Sequence, residues 1–273
     1  MNEGWEQDWR AWVERWIACQ PTAHNQGGLA RMVDDLEREL TAVDFEVELA
    51  RSEVATEQPV LVARRAPRSG SRWIGLLSHY DVELVGEDEV WQTDPWRLCE
   101  RDGRLLGRGI ADNLGPLALR LLAFGSLRRD VGVLWLIQGE EEVGSSWAHR
   151  LYPRLETSYV DLWLEETGYF YKDGAQRVLT MGDEARLAGI IDRLRDLNQA
   201  QGRETRVRRR FLNKAFGQQR CPGLLHLVRD RPYLAIGPND DGSRIHGPDE
   251  SLDPRLLGPS MAHLHALFEE IAG

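Results

Sequence analysis

Apolar side chains recur along this chain with two different periods. Between residues 3 and 18, Trp5, Trp9, Trp12, Val13 and Trp16 fall three or four positions apart, which predicts a helix burying one stripe. Pro21 ends it. A second amphipathic helix is predicted over about Leu29 to Leu40. The period then drops to two: Phe45, Val47 and Leu49 alternate with polar residues in a predicted strand, Phe45 to Arg51, and Pro59 to Arg65 follows as another. Two continuous apolar runs, Trp73 to Leu77 and Val131 to Ile137, read as strands covered on both faces, Val160 to Leu164 as a third buried strand, and Pro232 to Ile236 as a last inner strand. Helical patterns separate them: Leu117 to Leu127, Ser145 to Leu155, Ala185 to Asn198 and Leu256 to Ile271.

Strands alternating with helices predict an α/β protein: a three-layer sandwich, with a mostly parallel open sheet and helices on both faces. No repeat, low-complexity segment or long linker interrupts it, so residues 1–273 are expected to form a single domain. In such sheets ligands gather beyond the carboxyl ends of the strands. Chemically capable residues fall there. Ser78-His79-Tyr80-Asp81 ends one buried run, Glu140-Glu141-Glu142 another, and Glu165 a third; the last inner strand leads through a polar turn to His246.

Asp112 occupies the centre of this pattern, between a glycine-rich turn, Gly107-Arg108-Gly109, and a helical run. A carboxylate there can give one oxygen to each of two cations, and the histidines and remaining carboxylates suit zinc, cobalt or manganese. Asp81, two residues beyond His79, can stand behind the imidazole and fix its tautomer. Of the adjacent Glu141 and Glu142, one can bind metal while the other takes a proton from water. Singly, each feature is an ordinary loop or a solvated acidic run; their order after successive strands points to one site.

Composition narrows the partners. The net charge of -10 argues against nucleic acid. Three scattered cysteines, Cys19, Cys99 and Cys221, suggest neither a disulfide framework nor a cysteine metal knuckle. The polar, acidic start lacks a signal-peptide pattern, and no apolar run is long enough to cross a bilayer, so a reduced, cytoplasmic setting without a membrane partner is expected.

The chain resembles the co-catalytic dizinc metallopeptidase superfamily of aminoacylase, glutamate carboxypeptidase, acetylornithine deacetylase and succinyl-diaminopimelate desuccinylase. The resemblance lies in His79-Tyr80-Asp81-Val82, Trp91, Asp94-Pro95-Trp96, Asp102-Gly103, Gly107 to Gly115, Glu141-Glu142-Val143-Gly144-Ser145 and His246-Gly247-Pro248-Asp249-Glu250. It implies that His79 and Glu165 bind one metal ion, that Glu142 and His246 bind the other, and that Asp112 bridges them. It further implies that Asp81 orients His79, that Glu141 is the general base, and that the Asp112–Asn113 peptide is cis. Glu165 is preferred to Glu166 because the family's ligand directly follows its strand. The implied reaction is hydrolysis of a peptide or N-acyl amino acid amide.

This sequence departs from the pattern at two places. Leu114 replaces the usual lysine. Only 81 positions separate Glu165 from His246, too few for the lid and dimerisation domain that relatives insert there. A lid-less monomer is therefore expected, open enough for a long peptide or a carrier-protein-linked substrate. A basic run (Arg203, Arg206, Arg208, Arg209, Arg210, Lys214, Arg220) offers forks for an acidic substrate in place of the lid. His226, Asn239 and Arg244 are candidates to stabilise the oxyanion. The rival readings are a dizinc aminopeptidase acting on free N-termini and a non-catalytic binding protein on the same fold.

Overall fold

The computed structural model describes residues 4–67, 72–126, 130–165, 168–182, 184–210, 226–228 and 231–272. The predicted tryptophan helix is α1, Trp5–Cys19. Trp9, Val13, Trp16 and Ile17 form its buried stripe, each such side chain contributing roughly 1.5–3 kcal/mol through lost contact with water. The indole of Trp9 also donates to the Gly115 carbonyl at 2.9 Å, tying α1 to the segment that follows Asp112. Helix α2 is Gln26–Ala42, capped by the Asn25 side chain accepting from Gly28 N.

Among the described residues the main sheet has ten strands. Those that position the site are β1 (Glu46–Ala50), β2 (Val60–Arg65), β3 (Trp73–His79), β6 (Gly132–Gln138), β7 (Leu162–Glu165) and β11 (Tyr233–Ala235). They lie side by side in the order β1-β2-β6-β3-β7-β11. β6, β3, β7 and β11 run parallel, whereas β1 and β2 pair antiparallel to their neighbours. The expected mostly parallel sheet is present at its centre, and the carboxyl ends of β3, β6 and β7 therefore open on one rim. Every residue of β6 is buried, as its unbroken apolar run requires. Gly75 in β3 makes room for the Trp163 ring of β7: a Cβ there would lie 2.3 Å from the indole.

Two buried clusters flank the sheet. On one face α1, α2 and α3 (Leu114–Ser126) share a core with α5 (Glu184–Ala200) and the C-terminal α6 (Leu257–Ala272). The other holds Trp163, Tyr233 and Leu134 with Trp147 of the short α4 (Ser146–Leu151). Helices cover both faces, but the long ones share one side.

The interval between Glu165 and His246 carries more strand than the periodicity predicted. It contains β8 (Tyr169–Phe170), β9 (Gln176–Met181), β10 (Thr205–Arg209) and β12 (Asn239–Asp240), all joined to the main sheet. A separate three-stranded sheet is made by β4 (Cys99–Arg101), β5 (Arg104–Leu106) and β13 (Ser251–Leu252). Asp102 and Gly103, with φ of 51° and 73°, form the tight turn between β4 and β5.

Candidate metal centre

His79 ends β3, and its ring is held from behind. Nδ1 lies 3.0 Å from the backbone carbonyl of Asp81 and 3.4 Å from Asp81 Oδ1. Asp81 is itself buried, and its two carboxylate oxygens accept from the backbone N–H groups of Glu141 and Glu142, at 3.1 and 3.0 Å. One side chain thus fixes both the histidine at the end of β3 and the glutamate turn at the end of β6.

The forward face of His79 meets Asp112. Nε2 lies 2.9 Å from Asp112 Oδ1, and the other carboxylate oxygen, Oδ2, lies 3.2 Å from His246 Nε2. His246 Nε2 is also 3.0 Å from Glu142 Oε2. The Asp112 carboxylate therefore shows one oxygen to each histidine, the arrangement that a bridging role needs. The peptide between Asp112 and Asn113 is cis, as expected. The Asn113 side chain donates to the His79 carbonyl at 2.6 Å.

Glu250 holds the loop that carries Asp112. Its Oε1 accepts from the N–H groups of Ala111 and Asp112, at 2.8 and 3.0 Å. Oε2 accepts from Gly109 N and from Arg108, at 2.9 and 3.0 Å. Pairing of β13 with β5 brings Glu250 there. Asn239 donates to the Ala111 carbonyl at 2.9 Å, which gives this oxyanion candidate a structural partner.

Burial and charge pull the ionisations apart. Burial alone would favour neutral His79, but its hydrogen bonds with Asp112 and Asp81 hold the ring's pKa well above the usual value. His246 rises to about 10 through its bonds with Asp112 and Glu142. Asp112 is driven below its ordinary value despite its burial, because both histidines bond to it. Glu141 moves to about 7, mainly by burial, with Asp112, Glu142 and Asp81 adding to the rise and His79 opposing it.

The donor set fits divalent cations. Two groups of side chains each bring their ligand atoms within 4.8 Å of one another: His79, Asp112 and Glu142, and Glu83, Glu142 and His246. Glu142 Oε1 is buried without a hydrogen-bond partner among the described residues, an oxygen that a cation would satisfy.

Glu165, expected beside His79, belongs to neither group. Its Oε2 accepts from Arg210 at 2.7 Å and from the Tyr233 hydroxyl at 2.6 Å. Glu166 lies outside the described residues. The basic run is largely engaged. Arg210 is buried on Glu165, Arg206 pairs with Asp173 and Glu204, and Arg203 stacks over Phe170. Arg208 is exposed, as is His226, whereas Lys214 and Arg220 lie outside the described residues. Arg244 lies 3.5 Å from Asp249. Glu83, absent from the ligand set expected from the sequence, joins the second group; its spacing, four residues after His79 and two after Asp81, was the available signal.

This rim of acids and imidazoles at the ends of parallel strands is a candidate metal centre. Residues 75–177 match the family described as Peptidase family M20/M25/M40, whose metallopeptidases use divalent metal ions. The Beta-Ala-His dipeptidase of Rattus norvegicus is 29% identical over 165 residues, covering 54% of this chain and 34% of the relative. The succinyl-diaminopimelate desuccinylase of Parvibaculum lavamentivorans is 31% identical over 131 residues, covering 46% of this chain and 32% of the relative. The chain spans about a third or less of the length of such curated relatives. The crystal structure of human carnosine dipeptidase 1 superposes with a TM-score of 0.78 at 12% identity, covering 97% of each chain, a likeness of fold.

Proposed function

We propose that this chain hydrolyses the amide bond of a peptide or an N-acyl amino acid at a dinuclear metal centre. The observation that carries the reading is the Asp112 carboxylate, with one oxygen at His79 and the other at His246. His79, Asp112, Glu142 and His246 would hold the cations. Glu165 stays in the proposed set on the resemblance alone, since its carboxylate is held by Arg210 and Tyr233.

A bound pair of divalent ions, zinc in this reading, would polarise the substrate carbonyl and acidify water. The chain's own part is proton handling and orientation. Glu141, lifted to about 7 by burial, accepts a proton from the attacking water and returns it to the departing nitrogen. Asp81 keeps His79 in one tautomer and holds the backbone of Glu141 in register with it.

The 81 positions between Glu165 and His246 supply α5 and strands of the main sheet. That supports a single domain without a lid, acting as a monomer on substrates that a lidded site would exclude. No helix among the described residues is long and apolar enough to cross a membrane.

The test is metal analysis of the purified protein, joined to a screen of dipeptides and N-acyl amino acids with free and blocked amino groups. Two bound ions and a chelator-sensitive hydrolysis are expected. Metal-free protein with full activity would end the proposal.

A further inference from the structure

We infer that Glu83 is an additional metal ligand, on the His246 side of the centre. The inference rests on the dinuclear reading above and extends its ligand set by a residue that the resemblance does not supply.

The geometry starts from convergence. One carboxylate oxygen of Glu83, one of Glu142 and a ring nitrogen of His246 lie within 4.8 Å of one another. Asp112 Oδ2 approaches the same imidazole at 3.2 Å. Three carboxylates therefore crowd one imidazole, which can carry at most a single positive charge, so negative charge is in excess there. Hydrogen bonding leaves much of this charge unanswered. The Glu142 side chain is only 4% exposed, and its Oε1 has no partner among the described residues. Glu83 accepts a 3.0 Å bond from the next N–H along its own backbone, that of Leu84.

The nearby cation is committed elsewhere. Arg108 passes the Leu84 carbonyl at 3.5 Å, but its charge is divided between Glu89 and Glu250. The backbone beneath Glu83 is fixed, because Val82 is buried and its N–H donates to the Pro21 carbonyl at 3.0 Å. A carboxylate on a fixed backbone, facing a second carboxylate with an unsatisfied buried oxygen, suits a hard or borderline divalent ion with oxygen and imidazole ligands.

The experiment titrates zinc into the metal-free full chain by calorimetry and counts bound ions by elemental analysis, without substrate. Wild type should bind two ions. Glu83→Gln should keep one unchanged and bind the other at least about tenfold more weakly, the scale at which even outer partners of a metal matter. Glu83→Asp should fall between the two. Glu87→Gln removes the same charge from an exposed position of the same loop and should leave both affinities unchanged. Thermal unfolding of each metal-free variant verifies that it is folded. Two ions in wild type with an indistinguishable Glu83→Gln would overturn the role of Glu83 and leave the dinuclear reading standing. Equal weakening by Glu87→Gln would reduce Glu83 to a long-range charge. A wild type that binds no zinc would take both readings down.

Discussion

Replacing Asp81 by asparagine alters one atom and strikes two strand ends together. The carboxylate is buried, and each oxygen serves a different backbone N–H, that of Glu141 at 3.1 Å and that of Glu142 at 3.0 Å. Asparagine has one oxygen to offer. Its NH2 group must then face an N–H or the His79 ring, donor against donor. One stranded buried donor costs about 1–3 kcal/mol, and the surviving bond loses its charge assistance, worth about 1 kcal/mol more. The metal-free variant should therefore be about 2–4 kcal/mol less stable than wild type, with a midpoint lower by on the order of 5–10 °C. Denaturant unfolding followed by circular dichroism measures the loss, which should appear as a shift of midpoint at constant slope. Metal affinity should fall about 10–100-fold, since the His79 ring loses the carboxylate behind it and keeps only the Asp81 carbonyl. A variant within about 0.5 kcal/mol of wild type, binding metal as tightly, would show that Asp81 couples nothing.

Glu141→Gln should abolish turnover while leaving the bound ions in place; turnover near the wild-type rate would remove Glu141 as the base. In wild type the base must be ionised, so kcat should rise with pH along a limb centred at or below the value of about 7 set by burial, because neighbouring cations favour the carboxylate. His263, held between Gln176 and Asn198, has its pKa lowered to about 4 by burial and, secondarily, by Arg203. The unfolded chain therefore binds the proton first, and stability should be lost as pH falls from about 6.5 to about 4, by about 3 kcal/mol at about 1.4 kcal/mol per pH unit. Subtracting the same curve for His263→Gln isolates this loss, and parallel curves would contradict it. Arg210→Met should cost about 3–5 kcal/mol in chemical unfolding by stranding buried Glu165, whereas Arg208→Met, at an exposed position, should stay within about 0.5 kcal/mol.

The parts of the fold legible in the sequence were those that burial on both faces writes as unbroken apolar runs. β3, β6, β7 and β11 announced themselves in this way, and so did the rim at which they end. Short strands held by neighbours rather than by pattern did not. β10 reads Thr-Arg-Val-Arg-Arg and looks like a solvated basic run; it is a strand because all five residues pair with β9. The β4–β5 hairpin left a usable trace in Asp102-Gly103, a pair suited to a two-residue turn with positive φ at both positions. That hairpin matters to the site, because β13 adds to β5 and so sets Glu250 under the Asp112 loop.

Glu165 and Glu83 show where strand-end reasoning reaches its limit. Such reasoning says that a residue arrives at the rim; which way its carboxylate turns depends on partners distant in sequence. Arg210 and Tyr233 come from segments 45 and 68 residues away, and both bond to Glu165. No local pattern around Leu164-Glu165 records them. Glu83 presents the opposite case, an acid in an ordinary-looking loop that converges with His246, 163 positions later in the chain. On the proposed dinuclear reading, the better candidate ligand is the carboxylate with an oxygen left unpartnered: both partners of Glu165 Oε2 come from the protein, whereas Glu142 Oε1 has no hydrogen-bond partner among the described residues.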